Sequence, residues 1–186
     1  NSVILFNIIG ASNAGLMQFD AAIESYKKAL EIRPDYAEAY FNMGVTLKDK
    51  GESEASFDCY KQALKIKPNY AEAYNNIGNA LKDKGDLEEA IKCYKQALMI
   101  KPNYAVAYHN MGNVQKDKGE LEAAIDSYQK ALKIRPDYTE VYKNIGNILK
   151  RVIFTKPSSG LQEVIGSIID RKNIVKPVNI SQAAIS

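Results

Sequence analysis

Through most of this chain apolar residues recur every three to four positions, the spacing of a helix face rather than the alternation of a strand. Residues 71–104, AEAYNNIGNALKDKGDLEEAIKCYKQALMIKPNY, show the pattern most plainly. Tyr74, Ile77, Gly78 and Leu81 share one face of a first helix, which Gly85 ends as a left-handed stop would. Leu87, Ala90, Ile91, Tyr94, Ala97 and Leu98 line a second helix, and Pro102 closes the segment because it cannot continue one. Asn69 with Glu72 predicts a capping box at the first helix, and Asp35 with Glu38 and Asp137 with Glu140 repeat it. The segment therefore reads as a helical hairpin.

The hairpin recurs. All twelve tyrosines fall into columns spaced by 34 residues: Tyr26, Tyr60, Tyr94, Tyr128; Tyr36, Tyr70, Tyr104, Tyr138; and Tyr40, Tyr74, Tyr108, Tyr142. Pro34, Pro68, Pro102 and Pro136 keep the same register, as do Gly44, Gly78, Gly112 and Gly146. Residues 71–104 match 37–70 at 23 of 34 positions. Such a period predicts stacked units, each burying its apolar face against its neighbours. Gly78, Ala90 and Ala97 recur as Gly44, Ser56 and Ala63, then as Gly112, Ala124 and Ala131. These small residues predict close helix crossings, with tyrosines filling the space between them.

The series Tyr74, Ile77, Gly78, Leu81, Gly85, Ala90, Tyr94, Ala97 and Pro102 closely resembles the tetratricopeptide repeat family. The resemblance implies an all-α, right-handed superhelical solenoid of antiparallel helix hairpins. It covers units 3–36, 37–70, 71–104 and 105–138 and the first helix of a fifth at 139–154, so residues 1–154 are expected to form one array. The first unit is looser, with Met17 where the inter-helix glycine is expected. After Lys150 the pattern fails. Lys156-Pro157-Ser158-Ser159 breaks the chain, and Leu161, Val164, Ile165, Ile168 and Ile169 predict an amphipathic helix within the divergent segment 155–186. That helix is expected to cap the apolar end of the last unit.

Composition narrows the classes. The hydrophobic fraction, 46%, is that of an ordinary folded chain, and no apolar run is long enough to span a bilayer. The apolar stretch 2–9 lacks a basic flank and fits the repeat register, so it does not read as a signal peptide. The chain starts without Met and stops inside an apparent element, which reads as a piece of something longer. Residues 1–150 carry 20 Lys/Arg against 20 Asp/Glu, and the net +3 comes from the segment beyond. A neutral array lacks the basic stripe that nucleic acid would require. Cys59 and Cys93 hold the same column in adjacent units, too far apart for a bridge without distortion, and free thiols fit a cytoplasmic setting.

Catalytic chemistry finds little support. His109 is the single histidine and occupies a series with Phe41, Asn75 and Lys143, where each unit places a different residue. That reads as a solvated side chain rather than a base or ligand. There is no glycine-rich phosphate loop, no Cys/His metal spacing and no Ser/His/Asp set. The chain is thus expected to be no enzyme and to take no cofactor or metal.

In the resembled family the first helices line a concave groove, which implies where a ligand lies. The matching positions include Phe41, Asn42, Val45 and Lys48; Asn75, Asn76, Asn79 and Lys82; His109, Asn110, Asn113 and Lys116; and Lys143, Asn144, Asn147 and Lys150. Asn42, Asn76, Asn110 and Asn144 form one amide column; Asn79, Asn113 and Asn147 form another. An amide both donates and accepts, so such a ladder can pair with an extended peptide backbone whatever its sequence. It is similar to the asparagine ladder in the repeat arrays of O-linked N-acetylglucosamine transferase. The first column has an alternative use, bonding to inter-repeat backbone. If Asn79 and Asn113 touch ligand, removing both amides should weaken binding without lowering stability. Lys143 and Asn147 resemble the opening pair of the chaperone-binding carboxylate clamp, whose further residues would come from repeats this chain does not carry. The leading expectation is a protein-interaction scaffold holding an extended peptide, with no nucleic acid or membrane partner. The alternatives are a substrate-recruiting arm of a larger transferase and a weak homo-oligomer formed through open solenoid ends.

Overall fold

The computed structural model describes residues 2–155, with side chains as far as Lys150. Its helices are α1 (Ser2–Gly15), α2 (Phe19–Ile32), α3 (Ala37–Lys50), α4 (Ser53–Ile66), α5 (Ala71–Lys84), α6 (Leu87–Ile100), α7 (Ala105–Asp117), α8 (Leu121–Ile134) and α9 (Thr139–Thr155). No strand occurs among the described residues. They form two compact units, one over residues 1–100 and one from residue 101 onward. In the first, α1 pairs with α2, α3 with α4 and α5 with α6, while α2 contacts α3 and α4 contacts α5. In the second, α7 pairs with α8, and α9 packs on both. The fold is all-α and built of helix hairpins, as the periodicity predicts. The expected capping helix beyond residue 155 lies outside the described residues.

The turns form where the glycines stand. Gly51, Gly85 and Gly119 have φ of 92°, 88° and 82°, in the left-handed region that a side chain disfavours. The reversal lets the Asp86 N–H donate to the Leu81 carbonyl at 2.9 Å, closing the end of α5. Met17 makes the corresponding turn of the first hairpin at φ 59°, with the Gln18 N–H donating to Asn13 at 2.9 Å. A side chain there costs roughly 1–2 kcal/mol. The predicted capping boxes do not form at α3 and α5. Their N-caps are Tyr36 and Tyr70, one residue after Asp35 and Asn69, and neither has a side-chain cap bond. Proline two residues upstream sets the chain's entry, and the helices begin a step later than the acidic pattern suggests.

Each hairpin is held by a tyrosine laid against a glycine. Tyr26, Tyr60, Tyr94 and Tyr128 are buried to within 1% exposure. A Cβ on Gly44, Gly78 or Gly112 would sit 2.7, 2.6 or 2.6 Å from the Cε1 of Tyr60, Tyr94 or Tyr128. The alanines of the second helices, Ala22, Ala29, Ala63, Ala90, Ala97, Ala124 and Ala131, are wholly buried beside them. At the turns between hairpins, cations lie over the next tyrosine ring: Arg33 over Tyr36 at 3.8 Å, Lys67 over Tyr70 at 4.5 Å and Arg135 over Tyr138 at 3.2 Å.

Candidate functional site

The first helices of the hairpins carry the predicted ligand residues, and the helical period turns those residues away from the glycine–tyrosine seam. Phe41 is half-buried, its ring 4.8 Å from Tyr70 and 5.8 Å from Tyr60. Asn42 donates through Nδ2 to Asn7 Oδ1 at 3.1 Å, and Asn7 in turn donates to the Tyr36 hydroxyl at 3.4 Å. Asn75, expected at a ligand surface, is instead only 3% exposed, and its amide donates to Asn76 Oδ1 at 3.3 Å. A short polar side chain at this place is enclosed by the fold and leaves little for a ligand to reach.

The second asparagine column has an internal partner. The Tyr94 hydroxyl donates to Asn79 Oδ1 at 2.9 Å, and the Tyr128 hydroxyl to Asn113 Oδ1 at 2.7 Å. Both tyrosines are buried, so each hydroxyl needs an acceptor inside the protein. Each amide therefore has an internal partner, and its removal is expected to cost stability rather than leave it unchanged. Val45 holds the equivalent position in the second hairpin, where it offers no acceptor. Accordingly the buried Tyr60 hydroxyl has no hydrogen-bond partner among the described residues. Ser56 and Asn76 lie near enough to oppose the rise in its pKa that burial causes, but neither reaches hydrogen-bonding geometry. The sequence carried this signal in the valine that interrupts the asparagine column, although tyrosine and asparagine were read as separate columns.

His109 is half-buried and engaged on both ring nitrogens, not solvated as its sequence position suggests. The Asn113 and Asn144 amide nitrogens approach Nε2 at 3.3 and 3.0 Å, so Nε2 presents its lone pair. Nδ1 then carries the hydrogen and donates to the Tyr138 hydroxyl at 3.0 Å. Asn144 also donates to Asn113 Oδ1 at 2.9 Å, which joins Tyr128, Asn113, Asn144, His109 and Tyr138 into one network. A histidine so committed orders α7, α8 and α9 and is poorly placed to act as a base.

What stays open to solvent is the lysine column and the last asparagine. Lys48, Lys143 and Asn147 are exposed, and Lys82, Lys116 and Lys150 are half-exposed. Lys82 and Lys116 face Asp83 and Asp117 at 3.3 and 3.7 Å. Asn110 is half-buried. Lys116 and Asn147 line an open depression of about 360 Å³ with Asp117, Leu121 and Ile148. Asn147 has no hydrogen-bond partner among the described residues, unlike Asn113 one repeat earlier. No group of His, Cys, Asp and Glu suited to a metal occurs among the described residues. No described helix is long and apolar enough to cross a membrane. Cys59 and Cys93 are free thiols, and burial pushes the Cys59 thiol up to about 11.

Solved structures share this fold. A crystal structure of MamA aligns at TM-score 0.71 and 28% identity, covering 94% of this chain and 92% of that one. MamA from Desulfovibrio magneticus RS-1 aligns at TM-score 0.73 and 17% identity, over 100% of this chain and 98% of that one. PilF of Pseudomonas aeruginosa aligns at TM-score 0.76 and 19% identity, over 98% and 87%. No curated protein matches the sequence. The profile of the TPR repeat matches residues 18–51, 46–85, 78–119 and 112–152, most of the chain. With its glycine turns, its buried tyrosines and these four matched repeats, the chain belongs to the tetratricopeptide repeat family.

Proposed function

We propose that this protein is a scaffold that holds an extended segment of a partner protein against the first-helix faces of its hairpins. Tetratricopeptide repeat proteins are in general protein-interaction scaffolds and in general non-catalytic, which supports the coarse reading. The observation that carries the finer one is Asn147. It is an exposed amide without an internal partner, beside Lys116, in a depression floored by Leu121 and Ile148. An amide can pair with both groups of a peptide backbone, and the apolar floor accepts part of a side chain. On α3 and α5, Val45, Lys48 and Lys82 offer a similar mix of apolar and cationic contacts. Asn79, Asn113 and Asn144 hold these helices in place and leave contact to their neighbours. Hairpins already rigid lower the ordering cost of binding.

The test is selection from a displayed library of random linear peptides, followed by fluorescence polarisation on the best binders. Asn147→Ala combined with Lys116→Ala is expected to weaken them at least about tenfold, near 1.4 kcal/mol, with an unchanged melting temperature. Equal affinity in the double variant, or no selected peptide, would remove the reading.

A further inference from the structure

The hydrogen bonds around His109 all run one way, and a buried hydroxyl fixes the direction. The Tyr128 hydroxyl donates to Asn113 Oδ1 at 2.7 Å, and Asn144 Nδ2 donates to the same oxygen at 2.9 Å. Both amides therefore turn their nitrogens towards His109 Nε2, at 3.3 Å from Asn113 and 3.0 Å from Asn144. The ring accepts there only while it is neutral, because an imidazolium donates from both nitrogens. A proton on Nε2 sets one donor against two. Turning both amides over relieves that conflict and creates another. Asn113 then offers its nitrogen to Tyr128, and the Tyr128 hydroxyl hydrogen loses its acceptor at a side chain that is 0% exposed. Burial raises the pKa of Tyr128 and Asp117 raises it further, so this hydroxyl keeps its hydrogen through any acid titration. Either way a donor is left without an acceptor.

The charged groups on the packed elements are of both signs. α7 carries Lys116 and Asp117, paired at 3.7 Å, and α8 brings Tyr128, its ring 6.1 Å from the imidazole. The turn before α9 brings the exposed Asp137 and the Arg135 guanidinium, which lies 3.2 Å over the ring of Tyr138. α9 carries Glu140 and Lys143, both exposed. None of the three ring partners, Asn113, Asn144 and Tyr138, is a carboxylate that would favour a charged ring. The same two helices, α7 and α9, hold the depression of Lys116 and Asn147. Lys116 lies one turn beyond Asn113, and Asn147 one turn beyond Asn144. We propose that His109 is a proton-sensitive latch, which when neutral ties α7 to α9 and shapes that depression, and when protonated releases both helices and a bound partner segment with them. The latch stands on the hydrogen bonds, while its hold over a partner rests on the scaffold reading above.

The chain has no other histidine, so its imidazole signals can be followed without ambiguity by long-range proton–nitrogen NMR. In the folded chain the ring is expected to stay neutral, with its hydrogen on Nδ1, at about pH 6, where an unhindered imidazole is mostly charged. The unfolded chain takes up that proton freely near pH 6.5. The latch's share of stability is therefore complete above that value and lost as the pH falls. With the folded ring held neutral, the unfolding equilibrium constant of the wild type rises by up to about thirtyfold between about pH 7.5 and about pH 5. Chemical denaturation followed by circular dichroism reads this rise. His109→Phe, which copies Phe41 of the second hairpin, removes the titrating group and should lose that part of the rise. Tyr128→Phe removes the hydroxyl that fixes the direction, so the amides can turn over without stranding a donor. Its rise should be smaller than that of the wild type by at least about threefold. A ring that titrates as a free imidazole in the folded chain overturns the latch. So does a rise equal in wild type and His109→Phe, or unchanged in Tyr128→Phe. Peptides selected from the library test the hold over a partner. On acidification their affinity is expected to fall at least about fivefold more in the wild type than in His109→Phe. An equal fall in both removes the control of binding and leaves the scaffold standing. If no peptide is selected the scaffold falls, and the ring titration and the denaturation series still decide the latch.

Discussion

Tyr60, Tyr94 and Tyr128 are the same residue in the same place, yet their hydroxyls differ in one respect. Tyr94 and Tyr128 donate to Asn79 and Asn113, whereas Val45 holds the equivalent position in the hairpin of Tyr60, whose hydroxyl has no hydrogen-bond partner among the described residues. Stranding a buried hydroxyl costs about 1–3 kcal/mol, while deleting one that is already unpartnered costs little or nothing. We therefore expect Asn113→Ala to destabilise by about 1–3 kcal/mol, and Tyr60→Phe to leave stability unchanged or raised. Chemical denaturation of the two variants checks this. Equal losses would mean that Tyr60 finds an internal acceptor or that Asn113 contributes nothing through Tyr128. The residue scale was also the least legible in the sequence. Asn79 and Asn113 stood out as a polar column on an outer face, which is why they read as ligand contacts. That they reach back to a tyrosine fifteen residues on follows from the hairpin's geometry, which spacing alone does not contain. His109 reads as solvated for the same reason: its partners Tyr138 and Asn144 lie 29 and 35 residues on, just before α9 and on it.

At the scale of the helix and hairpin, the sequence was far more explicit. Two helices of like length, a glycine between them and a proline after them recur, and the structure has helices α3 to α6 within those limits. Glycine and alanine columns announce close crossings because nothing else explains small residues on an apolar face. The N-terminal caps misled, since Asp35 and Asn69 satisfy the pattern of a capping box one residue too early. The glycine–tyrosine seam makes a sharp test. A methyl on Gly78 would meet Tyr94 Cε1 at 2.6 Å, and Tyr94 is wholly buried. Overpacking of this kind costs roughly 1–3 kcal/mol, against about 1 kcal/mol gained from alanine's better helix propensity. The clash outweighs the gain over most of that range, so Gly78→Ala should lower stability, by up to roughly 2 kcal/mol. Gly15→Ala, where a Cβ meets nothing within 4 Å, should be neutral or stabilising. Thermal melts of both variants decide it, and a stabilised Gly78→Ala would show that the seam is loosely packed.

For the molecule as a whole, one titration reaches every hairpin at once. Burial raises the pKa of Tyr26, Tyr60, Tyr94 and Tyr128, and it pushes Tyr70 up to about 12. The unfolded chain ionises its tyrosines near pH 10. Between that value and the higher folded ones, the folded protein holds protons that the unfolded chain has released. Stability from these groups is complete below about pH 10 and falls as the pH climbs through the folded values. Because one such tyrosine lies at the centre of each hairpin, the loss is shared along the array and cannot be confined to a frayed end. Exposed acids and lysines contribute little here, since their pairs sit in solvent. We expect helicity to hold to about pH 10, then to fall in one transition together with the rise of phenolate absorbance from the buried rings. Circular dichroism and ultraviolet absorbance recorded on the same samples test this. Phenolate absorbance from all twelve tyrosines with helicity intact would mean that the rings ionise in place, and that burial against glycine is not what holds the hairpins closed.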